Sequence, residues 1–220
     1  MRSLILTLVA AAAAATLAAP ASHAQAAPPP VPGPGPQQLV EQVSTDLLKA
    51  IDADRAVLSK DPAKLRAVVD RVLLPNFDAE YSARLVLGKH WRTATPEQRT
   101  RFIDAFVDSM MRQYGTALLD FTANRMTMLP FRGDPAATSA TVRTEIKRDD
   151  GTPVPVNYSL RATPSGWKAW DVTIEGVSYV KNFRTDFSAE IDAKGLDAVI
   201  QRLESQGTTA TPAKAAAKAG

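Results

Sequence analysis

The chain has 220 residues, 45% of them hydrophobic, no cysteine, and a formal net charge of +3. Without cysteine it can form neither a disulfide nor the lipid-modified cysteine of an exported lipoprotein. Its 26 basic and 23 acidic residues are interspersed, and no basic run is interleaved with aromatics, which argues against a nucleic-acid partner.

Residues 1–24 read as a secretory signal peptide. Arg2 supplies a short positive region, Leu4 to Ala19 an apolar run, and Ser22-His23-Ala24 small residues for cleavage after Ala24. Ala24-Gln25-Ala26 is the alternative cleavage site. The apolar run is too short to favour a permanent span, and no later segment approaches ~20 continuous apolar residues. Residues 25–36 are a Pro-rich leader expected to be disordered, as is the Thr/Ala/Lys tail over 207–220. A single domain over 37–206 remains, long enough to bury one core.

Helical spacing opens that domain. Leu39, Val43, Leu47 and Ile51 share one face, and Asp61-Pro62 caps a second helix carrying Leu65, Val68, Val69 and Val72, which Pro75 ends. Asp78 opens a third helix, with Tyr81, Leu85 and Val86 on one face; Gly88 stops it by taking a left-handed conformation. Trp91 and His90 fall in the following connection. Thr95, Pro96 and Gln98 then form a cap, first-turn proline and capping box. The helix they start is expected to run to about Asn124, with Phe102, Phe106, Met110 and Tyr114 four apart and Gly115 as a point of bending. Ile103, Val107 and Met111 make a second stripe, so the apolar face is wider than one contact needs.

The period then changes to two. A strand near Met126–Phe131 precedes Ala140–Arg148, where Val142, Thr144 and Ile146 alternate with Arg143, Glu145 and Lys147. Val154, Val156, Tyr158 and Leu160 follow the Asp149-Asp150-Gly151 turn, and Trp170, Val172 and Ile174 follow Pro164-Ser165-Gly166. Phe183, Phe187 and Ile191 resume helical spacing, Gly195 punctuates, and Leu196, Val199, Ile200 and Leu203 form a last helix. The fold class is α+β: N-terminal and C-terminal helices on one face of a four-stranded antiparallel meander.

Visible chemistry is sparse. His90 is the only histidine after the signal peptide, and its isolation reads as a connection residue rather than a general base. No Gly-rich phosphate loop, metal-ligand cluster or nucleophile–base set is present, so no cofactor or metal is expected. Asp171, Thr173 and Glu175 share a strand face and could pair carboxylates for acid–base work. Alternation with Trp170, Val172 and Ile174 instead points them to solvent. By periodicity alone the aromatic and methionine stripe is core, although Met110, Met111, Met126 and Met128 are adaptable enough to meet variable apolar partners. The outer basic residues Arg143, Lys147, Arg148, Arg161 and Lys168 face solvent, with anionic headgroups or an acidic partner as the alternative.

Two stretches carry a resemblance: Val86-Leu87-Gly88 through Trp91 to Ala94-Thr95-Pro96-Glu97-Gln98-Arg99, and Glu175-Gly176-Val177-Ser178. Phe102, Phe106, Tyr114-Gly115, Leu118 and Gly195-Leu196-Asp197 fit the same pattern. With these residues the chain resembles the MlaC or toluene-tolerance family, soluble periplasmic phospholipid carriers of Gram-negative bacteria. The resemblance implies helices and sheet enclosing an apolar pocket, no catalysis, and a role in outer-membrane lipid asymmetry. It further implies two docking partners, an inner-membrane ABC lipid transporter complex and an outer-membrane lipoprotein–porin complex.

Strand parity and helix phase assign the pocket lining to Val86, Phe102, Phe106, Met110, Tyr114, Val142, Tyr158, Leu160, Val172, Ile174 and Tyr179. The chain is expected to act as a monomer. Two other readings stay open at this point: an NTF2-like enzyme acting on an apolar small molecule, and a ligand-free periplasmic interaction module.

Overall fold

The structure is a computed structural model describing residues 31–205, apart from 121, 123, 124, 135, 136 and 149. The expected signal peptide (1–24), the first half of the leader and the 207–220 tail lie outside the described residues. So do Asn124, the expected end of the long helix, and Asp149 of the first strand turn.

The first helix, α1 (Pro36–Leu58), spans two environments. It buries Leu39 and Val40 early and Leu47, Leu48, Ile51 and Leu58 later. It is kinked at Asp54, whose φ of −142° and ψ of 28° leave the helical region. Helix α2 (Pro62–Val72) starts where the Asp61 carboxylate accepts from the amides of Ala63 and Lys64. A 3-10 turn, Leu74–Asn76, contains Pro75 and carries the chain to α3 (Ala79–Leu87), capped by Asp78. Gly88, with φ of +52°, stops α3 as expected. The guanidinium of Arg184 lies 3.1 Å from where its Cβ would stand, so a side chain there would be both strained and crowded.

Trp91 and His90 sit in a short helix, α4 (His90–Thr93), and not in an irregular connection. The capping box forms as the sequence predicts: Gln98 N–H donates to Thr95 Oγ1 at 3.1 Å and Thr95 N–H to Gln98 Oε1 at 3.0 Å. Helix α5 (Pro96–Tyr114) ends earlier than expected, because at Gly115 the chain tightens into a 3-10 turn over Gly115–Asp120. The C-terminal helices are α6 (Tyr179–Lys194) and α7 (Leu196–Ser205), divided at Gly195.

The sheet has five antiparallel strands in sequence order, correcting the expected four. They are β1 (Met126–Met128), β2 (Ser139–Lys147), β3 (Pro153–Thr163), β4 (Gly166–Ile174) and β5 (Val177–Ser178). The two-residue β5 was too short to leave a periodic signal. The β3–β4 register holds a second correction. Ser159 pairs with Asp171 while the next residue, Leu160, pairs with Ala169, so β4 carries one extra residue, Trp170. Such a bulge resets which way the side chains point. Val142, Tyr158 and Val172 share one face, as do Leu160, Ala169 and Trp167 beyond the bulge.

Helices cover both faces, not one. On the first, α1 packs Leu39 and Val40 against Val142, Leu160 and Trp167. On the second, Trp170 packs against the cluster formed by α3, α5, α6 and α7.

Candidate functional site

Helices α5 and α6 meet through a ladder of rings that their four-residue spacings bring into register. Phe102 and Phe187 have centroids 5.7 Å apart, Phe106 and Phe183 5.3 Å, and Tyr114 and Tyr179 5.3 Å, each pair edge to face. Tyr179 continues to Phe183 at 6.1 Å. These geometries are those in which ring quadrupoles attract. Val86 of α3 is fully buried against the same cluster. Three of the predicted lining residues, Val86, Phe102 and Phe106, are therefore buried within this cluster. Met110, Tyr114 and Tyr179 lie half-buried at its margin. Burial raises the pKa of both tyrosine hydroxyls, with Tyr179 and then Asp186 adding to the rise at Tyr114.

The predicted sheet residues belong elsewhere. Val142 and Leu160 are buried under α1, with Tyr158 packed beside them. Burial also raises the Tyr158 pKa, against a smaller opposing effect from its hydrogen bond with Thr144. Val172 and Ile174 continue the same face through the register Tyr158–Val172 and Val156–Ile174. Both are only half-buried, and neither belongs to a buried cluster.

A third cluster, Leu47, Ile51, Leu58, Leu65 and Val68, joins α1 to α2 with Met111, Leu118 and Leu119 at its edge. Sequence phase missed Leu119 because the tighter turn after Gly115 brings adjacent residues, Leu118 and Leu119, to one cluster. Among the described residues the apolar interior is thus three clusters, where one contiguous core is usual. Half-buried side chains pack at their margins, Met110 and Tyr114 at the first and Tyr158 at the second.

The corner joining sheet to helix is rigidly specified. Asp171 is 5% exposed, which overturns its expected place on a solvated face. Its carboxylate accepts from Ser178 Oγ at 2.6 Å and from the Val180 amide at 3.0 Å, so it ties β4 to the start of α6. Between them the hairpin turns at Glu175 (φ 51°) and Gly176 (φ 83°). Glu175 reaches the left-handed region without being glycine, and its carboxylate pairs with Arg148 at 3.0 Å. On the second sheet face Arg161 pairs with Asp78 and lies 4.5 Å over the Tyr81 ring.

The expected connection residue His90 is largely enclosed, its side chain 14% exposed. Nε2 is 3.5 Å from Asp192 Oδ1, and that nitrogen has no hydrogen-bond partner. Asp192 is engaged by Lys89 at 2.8 Å, and this bond, followed by the Lys89 charge and then that of His90, lowers its pKa despite partial desolvation. No nucleophile adjoins His90 in these contacts. No group of three or more His, Asp or Glu side chains among the described residues is placed to hold a metal.

A model of one protein family, described as MlaC protein, matches residues 41–205. The chain belongs to the MlaC family. It is 31% identical over 160 residues to toluene tolerance protein ttg2D of Pseudomonas putida, covering 72% of this chain and 74% of that protein. It is 25% identical over 169 residues to the intermembrane phospholipid transport system binding protein MlaC of Haemophilus influenzae, covering 76% and 79%. Among solved structures, the phospholipid-binding protein of Ralstonia solanacearum, in complex with a phospholipid, superposes with a TM-score of 0.72 at 27% identity. That match covers 77% of this chain and 95% of the other. MlaC proteins are lipid-binding carriers, so membership places this chain outside the enzymes.

Proposed function

We propose that this chain is a periplasmic carrier that binds phospholipid acyl chains and shuttles them between an inner-membrane ABC transporter complex and an outer-membrane lipoprotein–porin complex. The observation that carries the reading is the phospholipid bound by the Ralstonia relative, whose fold this chain shares over 95% of that protein. The acyl chains would lie against the half-buried face of Tyr158, Val172 and Ile174, bounded by Met110, Tyr114 and Tyr179. Val86, Phe102, Phe106, Val142 and Leu160 would support that wall from behind.

Transfer energetics explain the need for such a surface. Each methylene contributes about 0.8 kcal/mol, so a 16-carbon chain left in water costs about 12 kcal/mol. A carrier must therefore offer surroundings nearly as apolar as a bilayer. It must not be much better, or release would fail. Adaptable side chains such as Met110 and Met111 suit that compromise, because they can repack around either water-free or lipid-filled space. The domain over 37–206 would do this alone, after removal of residues 1–24 on export.

Native mass spectrometry of the protein purified from a periplasmic extract tests the reading. A stoichiometric adduct of one or two phospholipids is expected. A clean unliganded mass, with no uptake from added liposomes, would replace the carrier with a ligand-free interaction module.

A further inference from the structure

On the sheet face opposite α1, an open cleft of about 600 Å³ is lined by Arg132, Arg143, Trp170, Ser139, Thr141 and Ser159, and no acidic residue lines it. Alternation along β2 turns Ser139, Thr141 and Arg143 to one side, and the Thr141–Ser159 register adds a hydroxyl from β3. The bulge in β4 brings Trp170 to the same side. Arg132 is placed by its neighbours. Phe131 packs into the cluster under α1, and a Cβ on Gly133 would fall 2.1 Å from the Phe131 ring, so only glycine lets the loop fold this tightly.

The cations on this side of the molecule are not equivalent. Arg161 is neutralised by Asp78, and Arg148 by Glu175. Arg132 and Arg143 form no ion pair among the described residues. The Arg143 guanidinium donates to the Pro130 carbonyl at 3.5 Å, the outer limit of such a contact. Two uncommitted guanidiniums, a row of hydroxyl donors and an indole wall form a donor-rich recess without a counter-ion. Arginine forks match phosphate oxygens in geometry as well as charge.

We propose that this cleft binds phosphate, and that its source is the headgroup of an anionic phospholipid presented by a bilayer. Its polar residues lie on the face opposite the strip of Tyr158, Val172 and Ile174, and it would orient the protein at a membrane surface during loading or delivery. It does not depend on whether lipid is carried inside.

Co-sedimentation of the purified protein with vesicles tests this. Binding to vesicles of phosphatidylglycerol and phosphatidylcholine, and not to phosphatidylcholine alone, is expected. The double variant Arg132→Gln/Arg143→Gln should bind about thirtyfold more weakly, the loss anticipated for two basic groups at an anionic surface. Arg148→Gln, whose charge is already paired, should bind as the parent does. Circular dichroism and urea unfolding of each variant should match the parent, which certifies folding, and an unchanged lipid load by native mass spectrometry separates this surface from the carrier reading. Equal binding by the double variant and the parent would overturn the proposal. So would arginine-dependent binding of inorganic phosphate without vesicle binding, which would make the ligand a free anion. Failure to bind either phosphate or vesicles would reject the cleft as a phosphate site.

Discussion

The α5–α6 ladder and the strip from Tyr158 to Ile174 are built from the same kinds of residue and have opposite characters. In the ladder, Phe102, Phe106, Phe183 and Phe187 fill one another's gaps and are 0–8% exposed. On the strip, Val172 and Ile174 are as apolar, yet stay half-buried and outside the buried clusters. Apolar periodicity says that a residue turns inward. It does not say whether the space it meets is occupied by another side chain or left for a ligand.

Substitutions can break that contrast at either end. Phe106→Ala removes a ring that touches Phe102, Phe183 and Phe187. It is expected to lower stability by about 3–5 kcal/mol, read from urea unfolding. A loss below about 1 kcal/mol would mean that the ladder is not close-packed.

Ile174→Asp places a charge on the strip, where acyl chains would have to desolvate it. Lipid co-purifying with the protein should vanish, while the half-buried site limits the stability change to about 1 kcal/mol. Full lipid loading in that variant would move the binding face elsewhere. Leu160→Asp is a poor substitute, because Leu160 is fully buried and the variant would unfold.

Between these extremes lies the corner joining the two regions. Asp171→Ala leaves the Ser178 hydroxyl and the Val180 amide without their acceptor. A cost of about 1–3 kcal/mol is expected; a neutral result would show that water replaces the carboxylate.

The smallest effect belongs to the α6–α7 clasp. Arg202 donates to both carboxylate oxygens of Glu190, at 2.8 and 2.6 Å, and these bonds lower the Glu190 pKa against a smaller effect of burial. A depressed pKa in the folded state gives stability that is complete above the ordinary value of about 4.3 and is lost as pH falls through the folded value. Glu190→Gln should therefore destabilise by less than about 1 kcal/mol at pH 7. The difference from the parent should close in acid; a gap that persisted at pH 2 would assign the effect to packing.

Local signals in the sequence were read correctly where the chemistry is local. Asp61, Asp78, Thr95 and Ser178 each accept amide bonds as N-caps. Three of those caps and the Gly88 stop are legible from residue type and spacing. The sheet was harder, because its facing depends on a pairing that alternation cannot register. A single extra residue at Trp170 turned that ring to the opposite side, and nothing in Lys168-Ala169-Trp170-Asp171 announces it. Asp171 keeps the side that alternation gives it and is buried because Ser178 and the start of α6 fold onto that face. The residues from Val86 to Tyr179 differ in burial and fall in different clusters, because helix phase and strand parity give direction without depth. Arg132 escaped notice because a loop residue has no period.

The same corner has a kinetic side. Asp171 reaches partners only 7 and 9 residues along the chain, whereas Arg161 and Asp78 must meet across 83. Closing a short loop costs less chain entropy than closing a long one, and contacts close in sequence speed folding. The β4–β5–α6 unit can therefore assemble before the sheet acquires its N-terminal helices, giving the chain a place to start folding without a disulfide to hold it.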